Sequence, residues 1–213
     1  MKFKSFLKSI VKIENLPLPG ESSQFKMSPP YREHLITLQN ERIKNARKSA
    51  VMALFYPNTE GETYLILILR KTYKGVHSAQ VGLPGGKLEA NETNKQAALR
   101  ETEEEIGVNQ ETITVLKELT QIYIPPSNFY VKPFIGVLNS TPNFVKQDTE
   151  VEALLEVNID HLLNKKNVTT KLVTTANELK VSVPAYNLNS HLVWGATAMM
   201  LSEVKDLLNI TLK

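Results

Sequence analysis

The sequence predicts an α/β fold, with helices layered on a sheet, for three reasons. Apolar runs rich in β-formers recur, beginning with "VMALFYP" at 51–57 and "TYLILILR" at 63–70. A polar stretch with helix start and stop signals follows them at 93–107. The C-terminal stretch "GATAMMLSEVKDLL" at 195–208 carries an apolar stripe at helical spacing. With 213 residues, 42% of them hydrophobic, the chain can bury a substantial core as one domain with extensions.

The elements follow in chain order. "MKFKSFLKSIVKI" places Phe3, Phe6, Leu7, Ile10 and Ile13 at helical spacing, with lysines at 2, 4, 8 and 12. That pattern predicts a terminal helix docked on its own domain, or a basic helix lying on a membrane surface; docking is the expectation. Residues 16–32, rich in Pro, Ser and Gly, read as an irregular connection. We set 1–44 apart as an extension and 45–213 as the main domain. The runs 51–57 and 63–70 are strands, and "PNTEG" between them is a hairpin turn. A polar loop runs from Lys71 to Gly82, then "LPGG". A helix is predicted from about Thr93 to Ile106, with Thr93 and Gln96 forming a capping box and Gly107 stopping it. Strands are predicted at 112–124, 130–138 and 150–157, a short helix at "DHLLN", and a hairpin from "KLVTT" and "LKVSVPAY". In the terminal helix Ala198, Leu201, Val204 and Leu208 mark the buried stripe.

Composition excludes several chemistries. There is no cysteine, so disulfides, thiolate metal sites and a cysteine nucleophile are ruled out. That fits a reducing compartment, and a cytoplasmic location is the expectation. A net charge of +3 is too mild to imply nucleic-acid binding and is compatible with an anionic small molecule. No apolar stretch is long enough to span a membrane.

The stretch "RETEEEIGV" at 100–108 concentrates four glutamates. With Glu101 as origin and about 100° per residue, Glu104 falls at about 300° and Glu105 at about 40°. The three share one face. Ala98, Leu99, Thr102 and Ile106 fall between about 60° and 160°, the adjoining buried face, while Glu103 points to solvent. A glutamate run on a helix is ordinarily a solvated face. Here the carboxylates converge at the edge of a packed one, and oxygen-rich, thiol-free clusters suit Mg²⁺ or Mn²⁺. Gly85 and Gly86, just upstream, allow the main chain to approach a ligand closely.

The spacing Gly86, five residues, Glu92, seven residues, Arg100-Glu101, two residues, Glu104-Glu105, one residue, Gly107, then the aliphatic Val108 resembles a complete Nudix box. It spans 23 residues and fills seven fixed identities; Thr102 occupies a slot that is usually more apolar. The resemblance implies a Nudix-type α/β/α sandwich with a mixed sheet, the box forming a loop–helix–loop. It also implies hydrolysis of a nucleoside diphosphate linked to another moiety, with Mg²⁺ or Mn²⁺. By position, Glu101, Glu104 and Glu105 would hold the metal, Gly86 adding its carbonyl, with Glu92 and Arg100 orienting them. The general base would be Glu104, Glu105 or Glu150. In the alternation of "EVEALLEV", Glu150, Glu152 and Glu156 share a face opposite Val151, Ala153, Leu155 and Val157.

Upstream, "RKTYKGVHSAQVGLPGG" at 70–86 is similar to the extra signature of the coenzyme A pyrophosphatases, through His77, Gln80, Val81 and Pro84 to Gly86. Gly75, Ala79 and Leu83 replace its arginine, glycine and phenylalanine. "KMSPPYR", "PPSNFYVKPFIG", "TEVEALLEV" and "VWGATAMML" resemble further segments of that subfamily. The implied substrate is coenzyme A or a derivative, giving 3′,5′-ADP and 4′-phosphopantetheine. ADP-ribose, a dinucleoside polyphosphate or an oxidised nucleotide is the alternative. A non-catalytic nucleotide- or RNA-binding module is the alternative of another class. His77, Gln80, Lys71 and Arg70 are the expected substrate contacts; Lys74 and Arg32 could neutralise phosphate or be surface charges. Trp194 is expected in the core rather than as a base-stacking platform. The expected partner is a small-molecule nucleotide, with a homodimer as one candidate assembly.

Overall fold

A computed structural model describes residues 1–38, 40–71, 80–174 and 180–212. Its helices are α1 (Phe3–Ile10), α2 (Glu21–Gln24), α3 (Arg32–Leu38), α4 (Asn40–Ile43), α5 (Asn94–Ile106), α6 (Ile159–Leu163) and α7 (Gly195–Thr211). Its strands are β1 (Arg47–Pro57), β2 (Thr63–Arg70), β3 (Val81–Gly82), β4 (Gly85–Lys87), β5 (Thr114–Glu118), β6 (Ile122–Ile124), β7 (Phe129–Val137), β8 (Val151–Asn158), β9 (Val168–Thr174), β10 (Lys180–Leu188) and β11 (His191–Trp194).

Among the described residues the main sheet has eight strands around the path β3-β2-β1-β7-β5. β1 and β7 run parallel, with Ala50 opposite Lys132; the other pairings are antiparallel, so the sheet is mixed. β4 pairs with β1 on one side, Gly86 opposite Ala50, and β6 pairs with β7 on the other. β9, β10 and β11 form a separate antiparallel sheet.

Central strand β1 is buried on both faces, and alternation along it divides the core. Ala50, Met52, Leu54 and Tyr56 pack with Ala97, Ala98 and Ile106 of α5. Val51, Ala53 and Phe55 pack with Leu201, Val204 and Leu208 of α7 and with Phe3, Phe6, Ile10 and Ile13. The result is a sheet between two helical layers. The apolar stripe of the basic N-terminal helix is therefore inside the protein. Backbone bonds clip that end to the β1–β2 hairpin, from Phe3 N–H to Gly61 O at 2.9 Å and from Thr63 N–H to Met1 O at 2.9 Å.

Local signals explain the elements. In "PNTEG" the Asn58 side chain accepts from the Glu60 and Glu62 amides, and Gly61 takes φ 71°. Thr93 and Gln96 form the reciprocal capping box, and Gly107 closes α5 at φ 72°. Three expectations need correction. Residues 16–32 contain α2 and a following 3-10 turn, with Ser23, Gln24 and Met27 buried. The run 112–124 is two strands, interrupted where the Leu119 amide turns to the Pro133 carbonyl at 2.9 Å. Val151 joins the α5 side of the core, away from Leu155 and Val157, because a bulge at Leu69/Arg70 skips Glu152 in the β2–β8 pairing.

Candidate active site

A cavity of about 650 Å³ opens toward the start of β1, where β4 pairs with it. The box lines one side of it: Gly85, Gly86, Arg100, Glu101, Glu104 and Glu105, with Glu150 from the start of β8. Its lining also includes Pro29, Tyr31, Arg32 and Leu35 of the N-terminal segment and Ile124, Pro125, Pro126 and Phe129. Gln80 and Gly82 from the β2–β4 connection and Trp194 to Thr197 at the start of α7 complete it.

The two glycines are required by close approach. A Cβ on Gly85, whose φ is 142°, would meet the Ala50 carbonyl at 2.3 Å. On Gly86 it would strike the Glu101 carboxylate at 2.2 Å. Glu101 is thus held against bare main chain. The Arg100 guanidinium forks onto Glu92, Nε to Oε1 at 2.9 Å and Nη2 to Oε2 at 3.0 Å. It also bonds Glu101 at 3.0 Å, Glu104 at 3.1 Å and the Lys87 carbonyl at 3.1 Å. The fork lowers the Glu92 pKa and raises that of Arg100, so the pair is fixed as charged groups.

Glu105 has a different environment. It is 2% exposed, receiving the Gly85 amide at 2.7 Å and Arg70 at 3.0 Å. Arg70 also bonds the Gly85 carbonyl at 2.8 Å. Burial still outweighs these partners, and with Glu101 and Glu150 nearby it pushes the Glu105 carboxyl up to about 7. Burial raises Glu101 as well; the Arg100 contact opposes the rise, and Glu104 and Glu150 add to it. Two carboxyls pushed upward, Glu101 and Glu105, facing one space beside further carboxylates are what a cation would relieve.

Among the described residues, no three His, Asp or Glu side chains stand close enough to grip an ion as they are placed. The arginine pairs account for this: Glu101 and Glu104 are drawn to Arg100, and Glu105 to Arg70 and the Gly85 amide. The donor chemistry nevertheless fits a hard divalent ion, being all carboxylate oxygen beside a glycine cradle. Glu104, with its side chain 56% exposed, and exposed Glu150 have room to swing in.

The remaining sequence candidates separate. Gln80 lines the cavity. Lys71 does not; its amide bonds the Glu150 carbonyl at 2.9 Å, anchoring the chain beside that carboxylate. Arg70, expected to meet phosphate, is committed to Glu105 and Gly85. Arg32 is buried at 9% exposure instead of lying at the surface. Half-buried Trp194 stands in the cavity wall rather than in the core, with Lys171 over its ring at 5.2 Å. His77 and Lys74 lie outside the described residues. Glu103, expected in solvent, is half-buried and accepts weakly from the Gln110 amide at 3.4 Å.

A mixed sheet between helical layers, with a glycine cradle and a glutamate helix at one strand end, defines a hydrolase of the box-bearing kind. A family model described as the NUDIX domain matches residues 46–176, and the chain belongs to the Nudix family. Its members are hydrolases acting on phosphoric anhydrides and generally use divalent ions. Nudix hydrolase 3 of Caenorhabditis elegans is 29% identical over 184 residues, 78% of this chain and 77% of that protein. Nudix hydrolase 22, chloroplastic, of Arabidopsis thaliana is 30% identical over 166 residues, 73% of this chain and 53% of its own length, so the chain spans about half of that relative. Among solved structures, the Nudix hydrolase RenU from M. smegmatis superposes with a TM-score of 0.53 at 18% identity, covering 78% of this chain and 87% of that one, a likeness of fold alone. Among the described residues no helix is long and apolar enough to cross a membrane.

Proposed function

We propose that this chain is a Mg²⁺- or Mn²⁺-dependent diphosphatase that splits the diphosphate bridge of coenzyme A or a derivative, releasing 3′,5′-ADP and 4′-phosphopantetheine. The observation that carries the catalytic part is the convergence of Glu101, Glu104, Glu105 and Glu150 on one cavity beside the Gly86 cradle. The coenzyme A part rests on the signature around Gln80, Val81 and Pro84 to Gly86.

Glu101, Glu104 and Glu105 would hold the ion, with the Gly86 carbonyl beside them. When bound, the ion neutralises charge on the bridge and lowers the pKa of the attacking water. Arg100 holds Glu101 in direction while leaving exposed Glu104 on a single contact, and Arg70 fixes Glu105. Glu150 is our choice of base. It acts electrostatically on Glu101 and Glu105, and its carboxylate is tied to no arginine among the described residues. A free carboxylate can swing to the water, accept its proton at an Oε atom and pass it to solvent. Removing such a base lowers turnover by about 10²–10⁴.

The test is incubation with coenzyme A, ADP-ribose and nucleoside triphosphates, each with Mg²⁺ or Mn²⁺, and product identification by mass. The reading expects 3′,5′-ADP and 4′-phosphopantetheine from coenzyme A, and strong loss in Glu150→Gln. Faster cleavage of ADP-ribose would replace the substrate and keep the chemistry. Metal-independent silence on every diphosphate would leave only a binding module.

A further inference from the structure

Arg32 poses a problem the catalytic machinery does not solve. It is 9% exposed and lines the same cavity as the carboxylates. One guanidinium nitrogen donates to the Tyr123 carbonyl at 2.6 Å, while Nε is buried without a partner. Among the described residues no carboxylate lies within ion-pair distance of it; Glu21 acts on it only at longer range. Withdrawing a cation from water without a counter-charge is costly, and a cation so placed at a cavity wall is completed by an anion from outside the chain.

The sheet provides a ruler between the two ends. Gly86 on β4 pairs with β1, β1 pairs with β7, and β7 pairs with β6, where Tyr123 lies opposite Tyr130. Three strand spacings separate the glycine cradle from the carbonyl that holds Arg32, about 14 Å. That exceeds the span of one P–O–P bridge. A substrate whose bridge sits at the carboxylates must therefore reach Arg32 with a different group.

We propose that Arg32 is a specificity-determining residue that recognises a phosphomonoester carried by the nucleotide in addition to its scissile diphosphate. The inference rests on the reading of this cavity as a nucleotide site. A guanidinium suits this task, since its fork matches phosphate oxygens and stays charged when buried. Arg32 lies outside the 46–176 match, so the N-terminal segment brings it to the family's fold.

The experiment measures metal-free calorimetric binding of adenosine 3′,5′-bisphosphate and of 5′-AMP to the full chain and to Arg32→Met and Arg32→Lys. The intact protein should prefer the bisphosphate by about tenfold or more, and Arg32→Met should bring the two within about twofold. Arg32→Lys should retain part of the preference, which keeps the test alive if the methionine variant does not fold. The midpoint of thermal unfolding of unliganded Arg32→Met should hold or rise, since an unpaired buried charge is gone; a purely structural arginine would give a fall with the preference unchanged. Equal binding of the two nucleotides by the intact protein, or an undiminished preference in either variant, overturns the proposal. Inactivity on every diphosphate with the bisphosphate preference intact would sink the catalytic reading alone.

Discussion

Gly86 has no side chain, and the position a Cβ would take is filled by the Glu101 carboxylate. Its φ is not in the left-handed region, so alanine fits the backbone and conflicts only with the site. Gly86→Ala should displace Glu101, reduce turnover by more than about tenfold and cost only about 1 kcal/mol of stability. Activity measured over a Mg²⁺ series, alongside thermal unfolding, separates the two effects; unchanged activity would show that the cradle does not matter. Gly85→Ala should behave differently, because its clash is with the β1 backbone, and fold and activity should fall together.

At the scale of elements, a buried carboxylate joins parts of the chain that are distant in sequence. Glu203 in α7 is fully buried and accepts from the Gly20 and Thr120 amides at 3.3 Å each, the Thr120 hydroxyl at 2.6 Å and the Gln24 amide group at 3.1 Å. Truncating it leaves several buried donors unpaired. Glu203→Ala should cost about 3 kcal/mol, and limited proteolysis should cut first before residue 38. Protection equal to the parent would refute the staple. Glu203 also marks a limit of sequence reading. The box was legible because its geometry is local: Glu101, Glu104 and Glu105 are set by helical spacing, and Thr93 with Gly107 fixes the ends of α5. The partners of Glu203 are up to 183 residues away, and no spacing announces them. The same holds for Arg70, which reaches Glu105 from the end of β2, 35 residues away in sequence, and for Val151, which a bulge turns to the other face. Arg32 was visible only as a charge in "KMSPPYR"; its burial comes from the packing of that segment over β6.

For the whole molecule, the two-layer burial of apolar stripes decides what the basic N-terminus can do. Phe3, Phe6, Ile10 and Ile13 are within the core, and the outward side carries the lysines with Val11 as its one exposed large apolar residue, so no continuous apolar stripe is left for acyl chains. The folded protein should stay in the supernatant when anionic vesicles are sedimented at physiological salt; co-sedimentation would mean the helix undocks. The last consequence is a coupling of stability, pH and metal. Glu105 has a folded-state pKa of about 7 against an ordinary 4.5. A raised carboxylate favours the protonated form in the fold, so its contribution is fully present below pH 4.5, declines as pH rises, and is lost above 7. The size is about 3 kcal/mol, and Glu101, raised in the same sense, adds to the decline. Glu92, lowered by Arg100, acts in the opposite sense but only below the ordinary carboxylate range, and Lys205, lowered by burial to about 8, begins to act only at the upper edge. Metal-free protein should therefore melt at a lower temperature at pH 7.5 than at pH 5.5, with Glu105→Gln flattening the difference. A divalent ion binds the deprotonated carboxylates, so Mg²⁺ or Mn²⁺ should raise the melting temperature more at pH 7.5 than at 5.5, reversing the slope. A metal effect independent of pH, or a metal-free stability that rises through this window, would mean that Glu105 does not titrate as its burial requires.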